Sequence, residues 1–376
     1  PRHSEAVLTD EAIRMIAEQR ATTPQKPFFL YLAYSAGHAP HHVGPEYLQK
    51  WRGKFDGGWD VAREETLARQ KTLGLVPSDT VLPPRNPNVK PWAELTPDER
   101  RLYARYYETF AAFVEHTDAQ LGRLLDYLGQ SGQLNNTLVV LASDNGASPE
   151  GGPEGMWNEI RLFTTESMDR AADGMRHFEQ LGSEHTYPTY PVGWTMAGNT
   201  PFRRTKGTAH EGGTRVPLIL AWPGKIPAAG VRPQYHHVID LLPTIMDATG
   251  ATAPAVFEGR NQPPVNGVSM GYTWADPVAA SRRQTQYTEI YGHRAIYHQG
   301  WKAVAFHPPG QPYEKDAWEL YDLATDFNER HDLATRRPEK LAEMLAVWEQ
   351  EARRHDVYPL DDRRGEREVL LPADSP

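Results

Sequence analysis

Cysteine is absent from the 376 residues. That excludes a disulfide framework, a thiolate zinc site and a cysteine nucleophile within the chain. Long apolar runs are lacking too, and none approaches the roughly 20 residues that a membrane-crossing helix needs. There is no surplus of positive charge: 40 Lys and Arg stand against 49 Asp and Glu, a net charge of −9. General binding to nucleic acid or to an anionic membrane, which requires a basic face, is thereby excluded. An anionic substrate has to be held by a few local cations or by a metal. The first residues, Pro1-Arg-His-Ser-Glu-Ala-Val7, carry no Met and no signal-peptide pattern. They enter a helix almost at once, as though the chain began mid-domain, and both cytoplasm and periplasm stay open as locations. Internal repeats and low-complexity segments are absent.

What is present is an ordinary globular composition, 39% hydrophobic and 24% charged, long enough for two or three domains. The 32 prolines and 30 glycines point to long, stiff connections. Asp10–Gln19 reads as a helix with Ile13, Ile16 and Ala17 on one face. Phe28-Phe-Leu-Tyr-Leu-Ala-Tyr34 reads as a strongly apolar strand. A proline-rich excursion follows, with short helices near Glu46–Trp51 and Asp60–Gln70 and with Trp51, Phe55, Trp59 and Trp92 packing it down. Thr96-Pro-Asp-Glu99 is a capping box with proline at the first helical position. It opens a helix to about Leu128, with Gly129 as C-cap and an apolar stripe that includes Leu102, Tyr106, Phe110, Phe113, Val114, Leu124 and Leu128. Leu138–Ala142 is the next strand, buried on both faces, with that helix as a crossover between parallel strands. Ser148–Asn199 reads as a long loop region with one helix near Glu166–Gln180. Arg215–Trp222 is a further buried strand and Val238–Asp247 a short helix. Past about Ala275 the texture becomes that of short antiparallel strands: Gln284–Ile290, Arg294–His298, Trp301–Phe306 and Trp318–Asp322, crossed by a helix over Pro338–His355. The expected organisation is an α/β domain over 1–275 and a small α+β domain over 276–376.

Three loops attached to the strands hold the residues with chemistry. The first is Ser35-Ala-Gly-His-Ala-Pro-His-His42. Three histidines in five residues suggest a metal site, but adjacent His41 and His42 turn poorly to one ion; solvated loop histidines with one functional member are the better reading. His38, nearest the strand end, suits a general acid or anion donor. The second is Ser143-Asp-Asn-Gly146, where Asp144 and Asn145 offer two hard oxygens suited to Ca²⁺ or Mg²⁺. A capped turn explains the same residues. The third is Lys206-Gly-Thr-Ala-His-Glu-Gly-Gly-Thr-Arg215, whose glycines let backbone and lysine approach a compact anion. Glu211 and Arg215 read equally as a structural ion pair.

In order and spacing, His38-Ala-Pro40, Ser143-Asp-Asn-Gly146, Lys206-Gly-Thr-Ala-His-Glu-Gly-Gly-Thr-Arg-Val-Pro217 and Leu320-Tyr-Asp-Leu323 together resemble the sulfatase family of the alkaline-phosphatase-like superfamily, and its bacterial arylsulfatases most. The resemblance runs essentially end to end. It implies a mostly parallel central sheet sandwiched between helices, with a small C-terminal antiparallel sheet. It also implies hydrolysis of an aryl sulfate ester, a small molecule, to a phenol and sulfate. Asp144 and Asn145 match the family's ligands of a divalent cation, Ca²⁺ ahead of Mg²⁺. Lys206 and His38 match the lysine and histidine that contact the sulfate and leaving-group oxygens.

One departure is large. Sulfatases use a formylglycine made from Cys or Ser in a Cys/Ser-x-Pro-x-Arg motif, and the chain has neither version. Asn199-Thr-Pro-Phe-Arg203 copies the spacing, but asparagine is not a substrate for that modification. The paired aspartates that complete the family's metal site belong to the same missing region. The chain therefore reads as about the C-terminal two-thirds of a sulfatase, expected to lack the nucleophile and to bind metal weakly. Two alternatives remain: a phosphodiesterase or phosphonate monoester hydrolase on the same scaffold, and a non-catalytic homologue that binds sulfate esters.

Overall fold

The longest element explains most of one half of the molecule. In the computed structural model, which describes residues 2–165, 168–227 and 230–363, helix α4 runs over Pro97–Gln130. It follows α1 (Ser4–Thr22), α2 (Pro45–Trp51) and α3 (Gly58–Thr72). Thr96 caps α4 by accepting from the Glu99 amide at 3.2 Å, while the Glu99 carboxylate accepts from the Thr96 amide at 2.7 Å. Two of the first turn's orphan donors are satisfied in this way. The helix ends one residue later than Gly129, and Gly132 rather than Gly129 takes a positive φ, +74°. Its stripe buries Leu102, Tyr106, Phe113, Leu124 and Leu128, whereas Val114 is exposed.

The chain divides into two compact units. The first comprises 1–69, 84–137 and 146–201. Its largest core joins Trp59, Trp92, Tyr103, Tyr106, Tyr107, Tyr190 and Trp194. Trp194 stacks on Tyr107 at 4.2 Å and donates its indole N–H to the Tyr103 carbonyl at 2.8 Å. Tyr190 and Trp194, two aromatics of the long loop, are therefore packing residues. A second cluster sets Ile16, Leu124 and Leu128 against Phe28, Leu30 and Leu32.

That cluster corrects the expected strand at Phe28–Tyr34. The segment alternates as a strand would, with Phe28, Leu30 and Leu32 inward and Phe29 and Tyr31 about 77% and 83% exposed. Among the described residues it joins no ladder. A strand needs a backbone partner as well as an apolar face, and here only the face is matched.

The second unit comprises 70–83, 138–145 and 202–376. It holds β1 (Val139–Ala142) and β2 (Leu218–Ala221), which pair antiparallel, Ala142 opposite Leu218 and Val139 opposite Ala221. The parallel pairing expected between Phe28–Tyr34 and Leu138–Ala142 across α4 is absent among the described residues, because Phe28–Tyr34 joins no ladder. Leu141, Leu218 and Ile219 are exposed, although the unbroken apolar runs suggested burial on both faces. Helix Leu241–Thr249 and the two-residue strands β3 (Val256–Phe257) and β4 (Arg260–Asn261) follow. The expected antiparallel sheet is present as β5 (Thr285–Ile290), β6 (His293–His298), β7 (Trp301–Ala305) and β8 (Trp318–Asp322), in sequential order. Helix Pro338–Arg354 buries Met344, Trp348 and Ala352 on Ile296, Ala303 and Leu320. Of the helix expected over Glu166–Gln180, Glu166 and Ser167 lie outside the described residues; the rest forms Ala171–Arg176 and a 3₁₀ turn over Phe178–Gln180.

Candidate active site

His38 belongs to the first unit, and Asp144, Asn145 and Lys206 to the second. The His38 loop is tied down by Glu5 of α1. This fully buried carboxylate accepts from the Ser35 amide (2.8 Å), the Ser35 hydroxyl (2.6 Å) and the Ala36 amide (3.1 Å). Burial pushes the Glu5 carboxyl up, but the donors from Ser35, Ser4 and Ala36 outweigh it and hold the group below its ordinary value. His38 itself is exposed. Its Nδ1 donates to the Ala39 carbonyl at 2.8 Å, which leaves Nε2 turned outward, 3.9 Å from the Glu150 carboxylate. His41 and His42 do not join it. His41 is buried against Tyr190 and Phe110, and burial lowers its pKa to about 3. His42 is bound through Nε2 to the Thr186 carbonyl at 2.6 Å. The three histidines thus do not form a metal centre, and the burial of His41 is the reason.

In the second unit, antiparallel pairing joins two of the sequence motifs. The end of β1 lies opposite the start of β2, and the Ser143 amide donates to the Pro217 carbonyl at 3.2 Å. The tip bearing Asp144 and Asn145 therefore abuts the strand into which the Lys206 loop runs. Asp144 is exposed, its Oδ1 accepting from the Asn145 amide at 3.0 Å. In kind these oxygens fit a hard cation; in number they fall short, since Ca²⁺ takes about six to eight oxygen ligands. Among the described residues no three His, Cys, Asp or Glu side chains gather as a metal cluster.

The Lys206 loop folds back on itself. The Gly212 amide donates to the Arg203 carbonyl at 2.9 Å, and a Cβ on Gly212 would stand 2.1 Å from that oxygen. Gly213 is equally confined, 2.2 Å from the Thr208 carbonyl, and Gly207 takes φ +81°. The Glu211–Arg215 ion pair is present at 3.3 Å, but it is part of something larger. Lys302 of β7, almost fully buried, reaches Glu211 at 2.6 Å and Glu329 at 2.9 Å. Burial pushes the Lys302 ammonium down, but the two carboxylates outweigh it and raise it above its usual range. Burial likewise works against the Glu211 carboxylate, and Lys302 and Arg215 hold it below its ordinary value. Lys302, Glu319 and Glu329 escaped the sequence reading. One signal was available for the first: a lysine inside Trp301-Lys-Ala-Val-Ala305, where every neighbour is apolar.

Asn199, which opens the segment that copies the formylglycine motif's spacing, is buried, and its Oδ1 accepts the Ala147 amide at 2.7 Å. Its role is structural.

The sulfatase family model matches residues 1–251, and a model of the C-terminal part of N-sulphoglucosamine sulphohydrolase matches residues 204–353. An uncharacterized sulfatase of Schizosaccharomyces pombe is 33% identical over 344 residues, 90% of this chain and 60% of that protein. The chain belongs to the sulfatase family. An arylsulfatase of Klebsiella aerogenes is 27% identical over 252 residues, 67% of this chain and 52% of the relative. This sulfatase chain thus spans between half and two-thirds of the length of these curated relatives. The structure of BT4656 in complex with its substrate D-glucosamine-2-N,6-O-disulfate superposes with a TM-score of 0.57 at 19% identity, covering 96% of this chain and 72% of that one. The fold class is that of the sulfatases, an alkaline-phosphatase-like α/β architecture with an antiparallel sheet in its C-terminal part.

Proposed function

We propose that the chain carries the charge-stabilising and proton-transferring side of an arylsulfatase, which cleaves an aryl sulfate ester to a phenol and sulfate. One observation carries the reading. The β1–β2 register sets the Asp144–Asn145 tip against the start of the strand that follows the Lys206 loop, which supports a reading in which hard oxygen ligands and a lysine serve one site. The Klebsiella relative named arylsulfatase supports the substrate class.

Asp144 and Asn145 would supply two ligands to a divalent cation, Ca²⁺ by preference; when bound, such an ion polarises a sulfate oxygen. Lys206 donates to a sulfate oxygen and offsets the negative charge that builds as the ester bond breaks. His38, with Nδ1–H committed to the Ala39 carbonyl, gives a proton from Nε2 to the leaving phenolate oxygen when the ring is doubly protonated, and is left as the neutral imidazole. The nucleophile is assigned to no residue of this chain. It contains no Cys and no Ser-x-Pro-x-Arg, and Asn199 is engaged in packing.

The test compares hydrolysis of para-nitrophenyl sulfate by the protein from its complete reading frame with that of Lys206→Ala and Asp144→Ala. Each variant should lose about 100-fold or more in kcat/KM. The 376-residue chain alone should not turn over. Unchanged rates in both variants, or strong turnover by the chain alone, would overturn the proposal, and preference for a phosphonate monoester would redirect it.

A further inference from the structure

The loop that carries Lys206 is pinned on both sides of the lysine by side chains of the C-terminal sheet. On the N-terminal side, Arg203 Nη1 donates to the Tyr321 hydroxyl (2.6 Å), the Glu319 carboxylate (3.2 Å) and the Glu329 carbonyl (2.9 Å). On the C-terminal side, His210 Nε2 lies 3.2 Å from Glu319, and the Glu211 amide donates to Glu329 Oε2 at 2.9 Å. Between the pins, Ala209 is fully buried among Ala295, Val304 and Tyr321.

Ion pairs in this layer join Lys302, Arg203 and Arg215 to Glu211, Glu319 and Glu329, with Arg204 close by. The pairs of Lys302 with Glu211 and Glu329 are buried, and such pairs contribute little net stability compared with apolar packing. What such an arrangement does provide is one fixed geometry, because each long side chain is bound at two or more points. Lysine is a flexible four-carbon stem, so fixing the backbone on either side of it fixes the point and direction from which that stem extends.

We infer that Lys302, acting through Glu211 and Glu329, is a positioning residue for Lys206, and that the C-terminal sheet serves to hold the lysine loop in its working shape. The inference rests on the assignment of Lys206 to sulfate binding. A displacement of about 1 Å at a positioned group can cost on the order of 100-fold in rate.

The experiment uses Lys302→Met in the protein from its complete reading frame, with two readouts. The first is kcat and KM for para-nitrophenyl sulfate per folded molecule. The second is amide hydrogen exchange at Thr208 and Gly212, both hydrogen-bonded inside the loop. Expected are a fall in kcat of about 10- to 100-fold with KM within about threefold, and exchange at least about tenfold faster. The double variant Lys302→Met/Glu329→Gln, which removes one charge of each sign, should regain stability without regaining kcat. Should Lys302→Met fail to fold, Tyr321→Phe, which removes the shortest of Arg203's three contacts without removing a charge, carries the same two readouts. Full kcat in the refolded double variant, or unchanged exchange in Lys302→Met and Tyr321→Phe, would overturn the inference. If the wild type shows no sulfatase activity, the functional reading fails and the exchange result alone decides the positioning claim.

Discussion

The His38 loop and the Lys206 loop are both anchored by buried carboxylates, yet the anchors work differently. Glu5 is surrounded by neutral donors, two amides and a hydroxyl from Ser35 and Ala36. Glu211 and Glu329 share a buried ammonium. The first arrangement fixes the start of a loop and leaves its histidine outward and exposed. The second fixes the backbone on both sides of a lysine. A side chain that transfers a proton benefits from access to solvent and substrate, whereas one that stabilises charge benefits from being held still.

The largest expected difference comes from removing the anchors. Lys302→Met leaves the buried Glu329 carboxylate without its cation and Glu211 with Arg215 alone, and should cost about 3–5 kcal/mol in urea unfolding. Glu5→Gln keeps the shape, replaces one acceptor by a donor and should cost about 1–3 kcal/mol. Equal costs would erase the distinction between the two anchors.

Acid separates the loops by pH window. His41, in the His38 loop, has its pKa lowered from 6.5 to about 3 by burial. As pH falls below 6.5 the unfolded chain takes up a proton that the folded chain refuses. Stability is therefore lost progressively from 6.5 down to about 3, on the order of a few kcal/mol. Glu319, beneath the Lys206 loop, falls from 4.5 to about 2; burial opposes the shift, and His210, Tyr321 and Arg203 outweigh it. Its contribution, on the order of 2 kcal/mol, is complete above 4.5 and is lost between 4.5 and about 2. Hydrogen exchange followed against pH should show the His38 loop loosening first. His41→Leu should flatten the upper limb and Glu319→Gln the lower one.

Smaller effects sharpen the same contrast. A methyl on Gly212 meets a carbonyl oxygen at 2.1 Å, and on Gly37 the edge of the Phe110 ring at 3.0 Å. Gly212→Ala should cost about 1–3 kcal/mol or more, and Gly37→Ala well under that, since a ring can shift where backbone cannot. The smallest change is Thr96→Ala, about 1 kcal/mol from the lost cap of α4. It should leave exchange in both loops untouched, which makes it the control for general destabilisation.

The physical signals that were legible in the sequence are local ones. The capping box of α4, the four strands of the C-terminal sheet and the helix that crosses them each announce themselves within a few residues, because a 3.6- or 2-residue period needs only its own segment. The Glu211–Arg215 ion pair was legible too, whereas Gly212 and Gly213, expected to let the loop approach an anion, admit the loop's own Arg203 and Thr208 carbonyls.

The tertiary structure decided the rest. Nothing local distinguishes a strand that will find a partner from one that will lie on two helices, as Phe28–Tyr34 does against α1 and α4. Nor does an apolar run name its neighbour: β1 pairs antiparallel with β2, not with Phe28–Tyr34 across α4. The anchors are the clearest case. Glu5 lies 30 residues from Ser35, and Lys302 lies 91 residues from Glu211. A carboxylate or ammonium reads as surface until the fold brings its counterpart beside it, because burial of a charge is tolerable only once that partner is there.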